Sequence, residues 1–379
     1  MKVFYLLIPF FICTSCLKKN NCYSLNNKAE VAEALNRVAD WQIDNFSYET
    51  SGNLHDYGIG AWGNSVFYLG LTHWASLSGK GEQYYNWLYN EVGKESSWQI
   101  PANFISYPRY GIYHADELCI AQFYFEMYKK YREPLMIEST KKRLKDIVSG
   151  SPDRDMSHRN KQTWTWCDAL FMAPPAYLSM GLLENDTSYI NFMDRSYRAT
   201  YNHLFDREES LFYRDDSYLG KREVNGEKIF WGRGNGWVIA GIANLLKNMP
   251  GDYPERQFYT GLFKAMASRL VELQHEEGYW HASLLDPESY PSPETSATSL
   301  IAYALAYGIN SGILDEQQYL EPLECAWNSL LASVEEDGKL CWVQPIGADP
   351  KKVTREMTSD YGVGAFLMAG SEIFKMKNF

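Results

Sequence analysis

Beyond its first dozen residues this 379-residue chain has no long apolar run. A membrane-spanning helix needs about 20 apolar residues, so no later segment offers one. Basic charge is also scarce: 36 Lys and Arg stand against 47 Asp and Glu, a net charge of -11. Nucleic-acid backbones demand a concentrated basic patch. No basic stretch goes beyond short runs such as Lys351-Lys352, which argues against nucleic acid as a partner. An anionic small molecule stays open, because a few arginines in a cleft suffice for one. Cysteine is sparse. Beyond Cys16 there are Cys22, Cys119, Cys167, Cys325 and Cys341, an odd and scattered set that makes no disulfide framework. Cys119 and Cys167 fall in apolar helical runs and read as small buried hydrophobes.

Several catalytic signatures are missing too. His114-Ala115-Asp116 and His275…His281 lack zinc-site spacing, and there is no His-Glu-x-x-His. No Gly-x-Ser-x-Gly elbow or phosphate-binding glycine loop appears. Acid–base chemistry without a metal or cofactor is what remains. No Pro- or Ser-rich linker divides the chain, and no succession of alternating strands suggests a β-sandwich.

Aromatic residues are abundant, at 15% of the chain with 12 Trp and 28 Tyr. They fit either a large core or a carbohydrate site, since Trp and Tyr stack on sugar faces while offering a polar handle. The N-terminus reads as an export signal: Lys2, an apolar run from Val3 to Ile12, then Cys13-Thr14-Ser15-Cys16. The small residues before Cys16 resemble a lipoprotein cleavage site, with Cys13 standing where that pattern prefers Leu. Residues 1–21 are therefore expected to be a leader and processing region, with a periplasmic or membrane-anchored product held only by a lipid on Cys16. Residues 22–379 are expected to form one catalytic domain.

A local shape recurs along that domain: polar or aromatic residues, then small ones, then an apolar helical run. It occurs at Trp62-Gly63-Asn64-Ser65, His114-Ala115-Asp116-Glu117, Trp166-Cys167-Asp168, Gly234-Asn235-Gly236-Trp237, Glu294-Thr295-Ser296-Ala297 and Ser359-Asp360-Tyr361-Gly362. The six starts lie 52 to 67 residues apart, room for two helices and their loops at about 1.5 Å rise per residue. The stretches between them, such as Lys28 to Asp44, Glu255 to Gln274 and Leu320 to Glu335, are amphipathic. Leu211-Phe212-Tyr213, Gly278-Tyr279-Trp280 and Gly338-Lys339-Leu340-Cys341-Trp342 follow turn residues and are expected to be small β-hairpins. The expected fold is all-α: a closed toroid of six helical hairpins, an (α/α)6 barrel, because one hairpin cannot bury its own apolar face. Closure would bring the six starts around one funnel.

Asp116 and Asp168 are the leading carboxylates. An Asp at a helix start is commonly an N-cap, and position alone does not separate that role from acid–base work. Their neighbours His114, Trp164 and Trp166 tilt the choice, because burial against aromatics and a nearby like charge both raise a carboxyl pKa. Paired carboxyls are also the usual equipment for glycoside cleavage. Trp231-Gly232-Arg233-Gly234-Asn235-Gly236-Trp237 imitates a dinucleotide fingerprint, but Trp237 occupies the third glycine position and no βαβ unit surrounds it. A tight glycine turn presenting Trp231, Arg233 and Trp237 to one cavity suits a carboxylated sugar, with guanidinium on the carboxylate and indole on the ring. Trp62 and Trp166, at two other helix starts, join that candidate set. His158, ten residues before Asp168, and Arg214, after Phe212-Tyr213, are expected at the same mouth.

These residues resemble the unsaturated glycuronyl hydrolases of the rhamnogalacturonyl type, glycoside hydrolase family 105, related to family 88. The resemblance spans nearly the whole mature chain. It rests on Trp166 to Met172, on Trp231 to Trp237 and, less specifically, on His114 to Glu117. It implies an (α/α)6 barrel and hydration of the C4=C5 double bond that a polysaccharide lyase leaves on a terminal uronate. It further implies Asp168 as the acid that protonates C4 and helps activate water at C5, with Asp116 assisting. Trp231, Arg233 and Trp237 match the family's substrate contacts, and His158 a histidine before the catalytic helix. Many members carry a histidine where this chain has Arg214, which bears on sugar specificity. Two other readings stand beside this one: a conventional inverting glycosidase using the same two acids, and a lipoprotein that binds oligosaccharides without cleaving them.

Overall fold

The computed structural model describes residues 27–47, 58–101 and 112–377. The leader, with Cys13 and Cys16, and also Cys22 lie outside the described residues.

Outer and inner helices alternate along the chain. Outer α1 (Lys28–Asp44) precedes inner α2 (Trp62–Ala75), and outer α3 (Gly81–Trp87), prolonged by a π-helical stretch Leu88–Lys94, precedes inner α4 (Cys119–Tyr131). After outer α5 (Leu135–Ser149), a short α6 (Ala169–Met172) leads into inner α7 (Pro174–Glu184). Outer α8 (Thr187–Leu204) is followed by inner α9 (Gly232–Asn248), then outer α10 (Arg256–Glu272) and inner α11 (Thr295–Asn310). Outer α12 (Glu316–Ala332) and inner α13 (Asp360–Phe374) complete the set. The inner helices touch in order α2, α4, α7, α9, α11, α13 and back to α2. That is the expected closed ring of six hairpins.

Burial separates the two layers. Inner α11 buries 14 of its 16 residues and outer α10 only 6 of its 17, so one is apolar all round and the other carries a single apolar stripe. Capping follows ordinary chemistry at several starts: Asn27, Asp186, Glu294 and Asp315 each accept backbone N–H groups of the turn they precede. Among the described residues no helix is long and apolar enough to cross a membrane.

The expected hairpins are realised unevenly. Phe205–Asp206 (β1) pairs antiparallel with Leu211–Phe212 (β2), and Val334 bridges Leu340. Gly278-Tyr279-Trp280 forms no strand. There, His275 N–H donates to Tyr279 O across a turn in which Gly278 has φ +92°. The cysteines also divide: Cys119, Cys167 and Cys341 are buried free thiols, whereas Cys325 is disulfide-bonded.

Ring closure depends on a bare backbone contact between the first and last inner helices. A Cβ on Gly70 would lie 2.1 Å from Gly364 O, and one on Gly364 would lie 2.2 Å from Val66 O. No side chain could relieve either clash. Gly364→Ala should therefore destabilise the fold by about 2 kcal/mol or more, read as a lower denaturant midpoint. Gly261→Ala, on outer α10 with open space around it, should be neutral or slightly stabilising.

Candidate active site

The starts of α2, α4, α6 and α9, but not those of α11 and α13, line a cavity of about 230 Å³, formed by Trp62, Asp116, Trp166, Asp168, Met172, Arg214, Trp231, Arg233 and the segment Ile346-Gly347-Ala348. Residues far apart in sequence meet there because the ring is closed.

Asp116 sits in the 3-10 turn Ala115–Leu118 that runs into α4. The next residue, Glu117, is turned to Arg143 at 2.7 Å, which leaves Asp116 facing the cavity. Asp168 immediately precedes α6 but does not cap it: its backbone is already helical (φ -60°, ψ -30°), and its side chain makes no capping bond. What it touches instead is the Cys167 thiol, at 3.5 Å, and Arg214 Nε, at 3.8 Å. Capping therefore does not account for this carboxylate.

Arg214 reaches Asp168 through local pairing. Trp166 forms an antiparallel bridge with Asp215, and Cys167 N–H donates to Arg214 O at 2.8 Å. The β1–β2 hairpin is anchored in turn by Asn235, which accepts from Phe212 N–H at 2.8 Å and donates to Phe212 O at 3.1 Å. The guanidinium is oriented by Asp215, itself held by Ser217 N–H and Oγ. His158 lies beside this network, with Nδ1 2.6 Å from Asp216 Oδ1. It does not line the cavity. His158, Asp215 and Asp216 each bring one ligand atom within 4.8 Å of the others. The Asp215 carboxylate is committed to Arg214 and Ser217, and the His158 nitrogen to Asp216.

The glycine segment departs from expectation in shape. Gly232 already begins α9, so there is no separate turn, and a Cβ there would lie 2.4 Å from His281 O. Trp231 lines the cavity, with its indole N–H on Gln344 Oε1 at 3.2 Å. Arg233 is 1% exposed and stacked between Trp231 and Tyr361, 4.4 and 4.9 Å from their ring centres. It donates to Gln344 O, to Tyr361 Oη and to Pro345 O. It thus lines the cavity while holding the segment that forms one wall. Trp237 is fully buried behind the cavity, 4.8 Å from Phe171 and 6.0 Å from Trp62 between ring centres. It supports the lining tryptophan.

Two contributors escape a reading of motifs. Gln344, fully buried, joins Trp231, Arg233, Tyr361 and the Glu294 carboxylate. No local pattern marks it. Lys161 lies 4.4 Å from the Trp166 ring centre, and burial pulls its pKa down to about 8. Its place among Lys161-Gln162-Thr163-Trp164-Thr165-Trp166 was the available hint.

Both carboxyls are pushed toward the protonated form. Asp116 rises from 3.8 to about 6, chiefly by burial and against the pull of Lys161 and Arg214. Asp168 is also raised by burial and by Asp116, with Arg214 and Arg233 opposing. A carboxyl whose pKa is raised by folding stabilises the fold while protonated in both states, and that contribution is lost as pH climbs through the folded pKa. For Asp116 the window runs from about 3.8 to about 6. Asp116→Asn should therefore raise the melting temperature at pH 8, by roughly 2–4 °C, with a smaller gain at pH 4. Paired thermal melts at the two pH values check this.

Residues 34–377 match the family described as Glycosyl Hydrolase Family 88. The chain is similar to an unsaturated 3S-rhamnoglycuronyl hydrolase of Formosa agariphila, 36% identical over 97% of this chain and 98% of that protein. A protein of the same description from an Alteromonas species is 33% identical over 89% of this chain and 84% of its own. Among solved structures, a family 88 glycosyl hydrolase from Bacteroides vulgatus superposes with a TM-score of 0.81 at 29% identity, covering 92% of this chain and 99% of that one. With the ring of six hairpins and the carboxyl-bearing cavity in place, these matches make the chain a member of glycoside hydrolase family 88.

Proposed function

We propose that the protein is an unsaturated glycuronyl hydrolase, acting on lyase-generated oligosaccharides whose terminal uronate carries a C4=C5 double bond. The observation that carries this is one cavity holding two largely buried carboxyls with raised pKa values, walled by three tryptophans and two arginines. Protonated Asp168 delivers its proton to C4. Water adds at C5, surrendering a proton to the Asp168 carboxylate, and Asp116 assists and positions. The C5 hemiketal opens to a ketone, and the hemiacetal freed at C1 releases the next sugar. Trp62, Trp166 and Trp231 supply ring faces for the sugars. Arg214, Arg233 and Lys161 make the cavity hospitable to a carboxylate.

For the sugar that follows the uronate, we propose rhamnose sulfated at O3. The supporting observation is the near full-length similarity to two proteins described as acting on 3S-rhamnoglycuronyl units. Residues 22–379 are proposed as one catalytic domain, supported by the family match from 34 to 377. Export, with a lipid on Cys16, is supported by Lys2 and the apolar run that follows. The Cys325 disulfide suits an oxidising compartment.

Incubation with unsaturated disaccharides from rhamnoglycuronan, pectic and glycosaminoglycan lyases tests the reaction by decay of the ultraviolet absorbance of the double bond. The sulfated rhamnoglycuronyl disaccharide should decay fastest, and Asp168→Asn should lower kcat by at least about 1,000-fold. Cleavage of saturated glycosides at a similar rate would replace hydration with conventional glycoside hydrolysis. Binding without turnover of any disaccharide would leave a binding protein.

Arg214 acts on the ionisation of Asp168. Its guanidinium, 3.8 Å from Asp168, holds that carboxyl below the value burial alone would give. Removing the cation as Arg214→Met should shift the alkaline limb of kcat/KM, where the acid loses its proton, to higher pH. A limb that stays in place, or moves down, separates Arg214 from the titration of Asp168.

A further inference from the structure

The helix that follows Asp168 is broken within one turn. α6 spans only Ala169–Met172, and α7 restarts at Pro174-Pro175. Pro175 has no N–H, so the carbonyl of Phe171, four residues before it, has no helical donor. Met172 O loses its donor as well, because Ala176 N–H turns to Ala173 O at 3.0 Å. Two buried carbonyls stranded in this way would each be costly. Both are met by one side chain from a neighbouring inner helix: Gln122 Nε2, 2.9 Å from Phe171 O and 3.3 Å from Met172 O.

Gln122 is itself held. Its Oε1 accepts from Asn244 Nδ2 at 3.2 Å, and Asn244 Oδ1 accepts from Tyr303 Oη at 2.6 Å. All three side chains are buried, at 6%, 6% and 0% exposure. The chain of bonds crosses the ring from α11 through α9 to α4 and ends on α6. Each side chain has its donors and acceptors oriented by the next, which fixes the amide of Gln122 with its nitrogen toward α6.

The location gives the chain a role. Gln122 lies in the first turn of α4, and the 3-10 turn bearing Asp116 runs directly into that helix. On the other side, Phe171 and Met172 N–H groups both donate to Asp168 O, at 3.0 and 3.3 Å. The single turn of α6 is thus suspended between Asp168 and the two carbonyls that Gln122 grips. We infer that Gln122, backed by Asn244 and Tyr303, is a positioning residue that sets the turn carrying Asp168 against the helix carrying Asp116. It touches neither carboxyl nor the cavity. The inference rests on the proposed use of these two acids in turnover.

Gln122→Met keeps the length of the side chain and removes both ends of its bonding. With Asp168 free to drift, kcat should fall on the order of 10–100-fold, while KM changes less than about twofold because the tryptophans and arginines that line the cavity make no bond to Gln122. Tyr303→Phe should lower kcat in the same direction and less, and the double variant should be no worse than Gln122→Met alone, as for residues acting in one chain. A purely structural role would lower the melting temperature and leave kcat per folded enzyme unchanged. Wild-type kcat in both single variants, or losses that multiply in the double variant, would overturn the inference. If Gln122→Met does not fold, Tyr303→Phe decides: lost kcat at constant KM supports the chain, and unchanged kcat refutes it. Asp168→Asn in the same series separates the two readings. If it retains turnover, the acid-pair reading fails. If it is inactive while Gln122→Met and Tyr303→Phe match wild type, only the positioning inference fails.

Discussion

Closure of the inner ring, where α2 meets α13 backbone to backbone, is the constraint from which the rest follows. The inner helices are apolar on nearly every side, so each is stable only between two neighbours and an outer partner. An open row of such hairpins would leave two inner helices with bare faces. The Gly70–Gly364 contact removes both ends at once. It also carries the start of α13 next to that of α2, where Tyr361 and Trp62 meet with ring centres 5.0 Å apart. Without that meeting the cavity would lack one wall, and Arg233 one of its two aromatic neighbours.

Placing two acids at the mouth of such a ring gives them their chemistry. Burial lifts both carboxyl pKa values, but their surroundings are unlike. Asp168 has a guanidinium within 4 Å, whereas Asp116 takes a hydrogen bond from the Trp166 side chain and has the His114 imidazole at 4.0 Å. Burial keeps the His114 imidazole neutral, with a pKa lowered to about 4. Asp116 adds to the rise of Asp168 while Arg214 and Arg233 oppose it, so unequal surroundings set the two acids apart. The hairpin that delivers Arg214 thus bears directly on the ionisation of Asp168.

The layered architecture was legible because it depends on periodicity and spacing. The outer helices coincide closely with the amphipathic stretches, and the six repeated starts became the ends of α2, α4, α6, α9, α11 and α13. The two carboxylates and the lining tryptophans were visible for the same reason, since each stands at a helix start. What could not be read were the partners that only tertiary contact supplies. Nothing around Gln344 distinguishes it from a surface glutamine, yet it is the hub on which Trp231 and Arg233 rest. The glycines of the α9 start suggested a turn but serve helix contact, because close approach and tight turning place the same demand on sequence. Trp237 shares its segment with Trp231 and is carried behind the cavity, where it packs on Phe171 and Trp62.

The division of labour between the two arginines shows how the cavity reconciles rigidity with recognition. Arg233 directs three of its N–H bonds to Gln344 O, Tyr361 Oη and Pro345 O, so most of its donors serve the wall. Its charge remains, sealed between two rings, and acts on Asp168 through space. Arg214 is oriented from one side by Asp215, while its Nε is buried with no hydrogen-bond partner. The cavity therefore carries one cation, Arg233, whose three bonds hold its wall, and a second, Arg214, bonded to Asp215 and facing Asp168, while the Nε of each is buried without a hydrogen-bond partner.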